Sequence, residues 1–188
     1  MAYPTDTSYG LAVDVRNIKA IKRLYRVKER LSRQPVHVIA PSVNYARKIV
    51  QWNKIAHKLS SRFFPGPLTL VLKLKAKGEK FKILSGGTGF LGIRVPKNKI
   101  ALDLVKYLKA PITTPSANPP NSKGGYDSYS VADIVKQFAN KNCQPDIIIN
   151  AGKLPKRKPS TMVKIHNGQI SILRRGPISE TQIKNFIS

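Results

Sequence analysis

Acidic side chains are scarce in this 188-residue sequence: nine Asp and Glu stand against 34 Lys and Arg, for a formal net charge of +25. The nine are scattered, so no paired-carboxylate acid/base dyad is apparent. Cysteine is scarcer still. With Cys143 as the sole thiol, neither an intramolecular disulfide nor a thiolate zinc site can be assembled, and its plain reading is a small, half-buried side chain. No stretch approaches the roughly 18 consecutive apolar residues that would suggest a membrane span, and the first residues lack the basic-then-apolar layout of a signal peptide. The expectation is a cytoplasmic protein with no membrane partner.

Hydrophobic residues make up 41% of the chain, with 14 prolines and 12 glycines, which excludes the low-hydrophobicity regime of disorder and fits a folded protein with many short connections. Its length suits one ordinary domain. The surplus of positive charge concentrates polyanions, nucleotides or RNA, near the surface. A solvated, lysine-rich surface accounts for the same surplus, so charge alone names no reaction.

Apolar residues at Ile18, Ile21, Leu24 and Tyr25 have the three-and-four spacing of an amphipathic helix over residues 17–28. Val36 to Ala40 is a short β-rich run, Ser42 can cap a helix through Ala46, Ile49 and Val50, and a further helix through Ile55, Ala56, Leu59 and Phe63 must stop before Pro65-Gly66-Pro67. Leu68 to Leu74 is bounded by breakers and alternates little, as a strand buried on both faces does. Leu91 to Val95 predicts another strand, Ile100 to Leu108 a helix, Pro111 to Thr114 a short strand, and Pro115 to Gly125 an irregular loop. Ser130 and Asp133 make a capping box for a helix through Ile134, Val135 and Phe138, and Ser179 with Gln182 repeats the pattern near the end. Strands are expected at Asp146 to Asn150, Thr161 to Ile165 and Gln169 to Leu173, the last two joined by the Asn167-Gly168 hairpin signature. This alternation predicts an α/β fold: a twisted, mixed sheet with helices packed on it.

Polar clusters fall at the expected strand ends and loops, where open α/β sheets bind ligands. Pro4-Thr5-Asp6-Thr7-Ser8-Tyr9-Gly10-Leu11 offers hydroxyls beside a glycine, although a plain strand-to-helix turn would look the same. Lys28 and Arg30 at the end of the first helix either compensate its dipole or grip phosphate. Pro65-Gly66-Pro67-Leu68-Thr69 reads as architectural. Arg94, inside an apolar strand, is costly unless a counter-anion awaits it, which makes it a candidate carboxylate anchor. Thr113-Thr114-Pro115-Ser116-Ala117-Asn118, followed by Lys123-Gly124-Gly125, would suit phosphate and hydroxyl contacts, though a turn needs some of these residues anyway.

In this order and spacing, together with Ser160-Thr161-Met162-Val163 and Leu173-Arg174-Arg175-Gly176, these motifs resemble the YrdC-like threonylcarbamoyl-AMP synthase family over nearly the whole chain. The resemblance implies a YrdC-like twisted sheet with a basic concave cleft. It also implies a nucleotidyltransferase that condenses L-threonine, bicarbonate and ATP into threonylcarbamoyl-AMP and pyrophosphate. That product would feed downstream threonylcarbamoyl-transfer machinery acting on tRNA. By motif match, threonine would be held by Thr5, His37, Arg94, Thr114 and Ser160, and ATP by Lys28, Ser32, Ser116, Asn118, Gly124 and Arg174, with Arg30 alongside Lys28 and Arg94 in catalysis. Mg²⁺ would arrive on the ATP phosphates; no protein metal site and no organic cofactor are implied. Asp6, the one carboxylate embedded in a motif, is read as a candidate turn cap.

A lone histidine in a β-rich run is more often structural, and only the family pattern singles out His37; His57 and His166 lack such support. Departures from the pattern are Glu29 and Leu31, where glycine and proline commonly flank the arginine, Phe90 in place of a small hydroxyl residue, and Pro119-Pro120 in the nucleotide loop. Ala2-Tyr3-Pro4 reads as the end of a strand, so residues 1–188 are expected to be a single YrdC-like domain short of its first helix and strand start, with a sheet edge exposed by that loss. The competing reading is a module for double-stranded RNA or tRNA with a vestigial nucleotide pocket. A paralogue with the same fold and a hydrolytic or regulatory role ranks third, because the Lys-x-Arg and Ser-x-Asn pairs persist.

Overall fold

Antiparallel pairing of Ala2–Pro4 (β1) with Tyr9–Leu11 (β2) opens the chain, in a computed structural model that describes residues 1–187. Ile18–Val27 (α1) follows, its first turn capped by the Asn17 side chain, which accepts from the Ala20 amide, and its apolar stripe of Ile21, Leu24, Tyr25 and Val27 is buried. Next come Val38–Ile39 (β3), Val43–Ile49 (α2) with Ser42 as its cap, Lys54–Phe63 (α3), Leu68–Lys73 (β4), Glu79–Leu84 (α4) and Phe90–Arg94 (β5). Lys99–Leu108 (α5), Ile112–Thr113 (β6), Val131–Phe138 (α6), Thr161–His166 (β7), Gln169–Arg174 (β8) and Glu180–Ile187 (α7) complete the order. Both capping boxes form as the sequence predicts, Ser130 with Asp133 and Ser179 with Gln182. Asn167 and Gly168 turn the β7–β8 hairpin with φ of 50° and 75°, the left-handed pair a two-residue hairpin loop demands.

Six strands form one mixed sheet in the order β6-β3-β5-β4-β7-β8. The pairs β3–β5 and β4–β7 run parallel; the rest are antiparallel. Register and the two-residue side-chain period divide the sheet's faces. Leu70, Ile93 and Val163 lie side by side and fully buried in the main hydrophobic core. On the opposite face the register places Arg94, Thr69, Met162 and Arg174 in one row across β5, β4, β7 and β8. A register shift between Met162 and Val163 brings Arg174 into that row, as bulges re-aim side chains.

Four expectations need amendment. Residues 146–150 make no ladder, because their backbone meets only Ala2, through a single parallel bridge at Ile148, and Ile147 is exposed. The β-rich run from Val36 pairs only at Val38 and Ile39; the amide of Val36 instead bonds the Leu84 carbonyl at the end of α4. Helix α4 was not foreseen, since six residues starting at an uncapped glycine carry almost no periodic signal. Tyr9–Leu11 pairs as a strand where the sequence suggested a turn. As for the exposed edge expected of the opening strand, Ala2 bonds β2 on one side and residues 147–149 on the other.

Candidate active site

The sheet face opposite the core is the floor of a cavity of about 510 Å³. Gly92 and Arg94 of β5, Met162 and Lys164 of β7, and Arg174 of β8 stand along it, with His37 beside β3. Facing this floor are the turn after β1, the end of α1, and the stretch 114–116 after β6. Backbone bonds stitch that wall together: Leu11 donates to the Pro115 carbonyl and Ala117 to the Tyr9 carbonyl.

Arg94 is 4% exposed and its anion is internal: one guanidinium nitrogen bonds the Asp6 carboxylate at 2.5 Å and the Thr7 hydroxyl at 3.1 Å. This corrects the reading of Asp6 as a turn cap. The turn is closed by Thr5 instead, whose hydroxyl donates to the Ser8 carbonyl and accepts from the amides of Thr7 and Ser8. The Arg94–Asp6 contact uses only part of each group. Arg94 Nε and Asp6 Oδ2 are both buried without a partner, and so is the hydroxyl of Thr114. Two of these three, Arg94 and Thr114, line the same cavity. Native interiors seldom leave such atoms unsatisfied, and a polar ligand is one means of satisfying them.

Lys28 ends α1 and is 6% exposed; its ammonium donates to the carbonyls of Ser116 (2.7 Å) and Asn118 and to the Asn118 side chain (3.2 Å). Asn118 thus holds Lys28 from behind and does not itself face the cavity. Glu29 takes a φ of 46°, a left-handed conformation uncommon for a residue other than glycine, and its carboxylate bridges Lys123 and Lys141. Arg174 donates to the carbonyl and hydroxyl of Ser160, and Ser160 also bonds Thr69 at 2.8 Å. Burial, reinforced by Arg30, pushes the Lys28 ammonium down to about 7. Burial also lowers Arg30 and Arg174, the latter with help from Arg94. His37 is held well below its ordinary value, first by burial and then by Arg174, Arg94, Arg30 and Lys28, so its ring is neutral at pH 7. Cations crowded this way in a desolvated hollow favour an anionic ligand.

Of the residues singled out from sequence, Thr5, Lys28, Arg30, His37, Arg94, Thr114, Ser116, Ser160 and Arg174 meet on this one cavity. Ser32 and Gly124 do not: both are exposed, Ser32 in the turn beyond α1 and Gly124 closing a short 3₁₀ turn with φ of 78°. The sequence reading passed over Asp127, Met162 and Lys164, all on the cavity wall. Alternation along β7 from Ser160 would have indicated Met162 and Lys164; nothing local marks Asp127. Lys164 sits 4.0 Å from the centre of the Phe90 ring, a cation–π contact between two residues that line the cavity.

Gly92 is needed for close approach, since a Cβ there would lie 2.7 Å from the His37 Cβ and 3.2 Å from the Thr69 Cγ2. Gly92→Ala is expected to cost about 1–3 kcal/mol by overpacking and to displace His37. Urea unfolding reads the first effect and ligand titration the second.

A family model described as telomere recombination, the Sua5/YciO/YrdC model, matches residues 1–176. A Methanocaldococcus jannaschii protein named as a candidate threonylcarbamoyl-AMP synthase is 33% identical over 93% of this chain and 78% of its own length. The threonylcarbamoyl-AMP synthase of Pyrococcus abyssi is 30% identical over the whole chain, which spans 53% of that protein. The crystal structure of P. abyssi Sua5 complexed with L-threonine superposes with a TM-score of 0.87 at 29% identity, covering 99% of this chain and 53% of the other. The chain therefore spans about half the length of the P. abyssi relative.

Proposed function

Because the chain belongs to the Sua5/YciO/YrdC family, we propose that it is an L-threonylcarbamoyladenylate synthase, a nucleotidyltransferase that condenses L-threonine, bicarbonate and ATP into threonylcarbamoyl-AMP and pyrophosphate. The observation that carries this reading is a single cavity shared by two unsatisfied buried groups, Arg94 Nε and the Thr114 hydroxyl, and by Lys28, Arg30 and Arg174. An amino-acid carboxylate meets the needs of Arg94, and a triphosphate meets those of the other three cations.

In this reading Arg94, steadied by Asp6, fixes the threonine carboxylate, while Thr114 and the neutral His37 orient its polar groups. Thr5 and Ser160 act through the turn and the Arg174 contact they already maintain. The threonine nitrogen and bicarbonate give a carbamate with loss of water; a carbamate oxygen attacks the α-phosphorus and pyrophosphate leaves. Lys28, Arg30 and Arg174 stabilise the charge that shifts onto the leaving phosphates, so catalysis is positioning and electrostatics without a covalent enzyme intermediate. Among the described residues no three His, Cys, Asp or Glu side chains gather to hold a bare metal ion. In this proposal Mg²⁺ is carried by the nucleotide and keeps phosphate oxygens and water as most of its ligands.

Delivery of the product to tRNA-modifying machinery and a cytoplasmic location belong to the same proposal; no helix among the described residues is long and apolar enough to cross a membrane. The charge of +25 favours RNA contact as a second property. Pyrophosphate release from ATP is expected only when threonine and bicarbonate are both supplied. Release that ignores threonine, or none under any condition alongside tight RNA binding, would remove the synthase reading.

A further inference from the structure

Nine carboxylates serve this chain, and partners within the protein account for eight. Seven form ion pairs with Lys or Arg, and Asp133 closes the capping box of α6. Among the described residues Asp127 alone makes neither a hydrogen bond nor an ion pair through its carboxylate. It is also the half-buried carboxylate on the cavity wall, in the company of Lys28, Arg30 and Arg174. Its charge acts on Lys28 and Arg174, whereas the carboxylate acting on Arg94 is Asp6. Asp127 therefore belongs to the end of the cavity where the phosphates would lie.

A bare carboxylate there works against a polyanionic ligand, since like charges repel more strongly in a partly desolvated hollow than in water. The arrangement becomes favourable when the ligand brings a cation with it. Mg²⁺ on a triphosphate takes one or two carboxylates, directly or through a bound water, and completes its shell with phosphate oxygens and water. We infer that Asp127 faces the Mg²⁺ carried by the nucleotide and makes the site select the magnesium complex over metal-free nucleotide. This inference rests on the nucleotide reading above. The role is one of positioning and selection, and it leaves the threonine end of the cavity untouched.

The test is calorimetric titration of the whole chain and of Asp127→Asn with ATP, once in EDTA and once with excess Mg²⁺. The amide keeps the shape of the side chain and removes its charge. Removing one nearby charge should weaken Mg–ATP binding about tenfold and strengthen metal-free ATP binding about threefold. The two changes have opposite signs, which a merely structural role cannot produce. Both affinities come from the same sample, so their ratio is insensitive to any misfolded fraction. Parallel changes, or none in either titration, with wild-type binding intact, would overturn the assignment of Asp127 and leave the nucleotide reading standing. Failure of the wild-type chain to bind either form would overturn both.

Discussion

Asp6→Ala is expected to remove about 3–5 kcal/mol of folding stability, the usual consequence of stranding one member of a buried ion pair. Asp6 and Arg94 are each 4% exposed, and no other carboxylate is paired with that guanidinium. Urea unfolding reads the loss directly. The double variant Asp6→Leu/Arg94→Met should recover most of it, because apolar replacement of a whole buried pair is often neutral or better, and it should no longer bind threonine. Asp6→Asn divides the two roles differently. It leaves Arg94 short of an anion that the threonine carboxylate can supply, so threonine should raise the melting temperature of this variant more than that of the wild type. A stability loss below about 1 kcal/mol for Asp6→Ala would mean that water reaches Arg94 and that the pair is a surface contact.

Lys28→Ala should weaken ATP binding about 10- to 150-fold, the equivalent of one charge-assisted hydrogen bond of 1.5–3 kcal/mol, with threonine affinity changed far less. Equal loss of both ligands would point instead to collapse of the loop whose Ser116 and Asn118 carbonyls Lys28 holds. The lowered Lys28 adds a pH signature. With the free ammonium pushed down to about 7 by burial, the charge is lost progressively as pH rises through the neutral range. Phosphate favours the charged form, so ATP binding should take up a proton, and affinity should fall as pH rises above 7. Calorimetry in two buffers of different ionisation enthalpy should find net proton uptake that is larger at pH 8 than at pH 7. Lys28→Arg should abolish the uptake, because a guanidinium stays protonated throughout.

Local physics carried much of the fold into the sequence. Breakers on either side of Leu68 to Leu74 mark β4, serine caps mark the starts of α2, α6 and α7, and Asn167-Gly168 marks the last hairpin. What escaped had few residues to speak with: α4 is a six-residue helix, and residues 146–150 meet the rest of the backbone at a single bridge. The site divides the same way. An arginine in an apolar strand announces that an anion must neutralise it, and Lys28 and Arg30 announce an anionic ligand.

Which anion neutralises Arg94 depends on two residues 88 positions apart, and no spacing rule reaches that far. Lys28 is buried against carbonyls 88 and 90 residues away, so the burial that lowers its proton affinity is likewise a property of the assembled cavity. Asp127 is conspicuous only once the other eight carboxylates have found partners. By itself, then, the amino-acid sequence determined residue chemistry, helix and strand limits set by near neighbours, and the family pattern. Only tertiary structure decided who neutralises whom, because burial and charge pairing are set by segments that meet in space, and a carboxylate in isolation has the same chemistry wherever it stands.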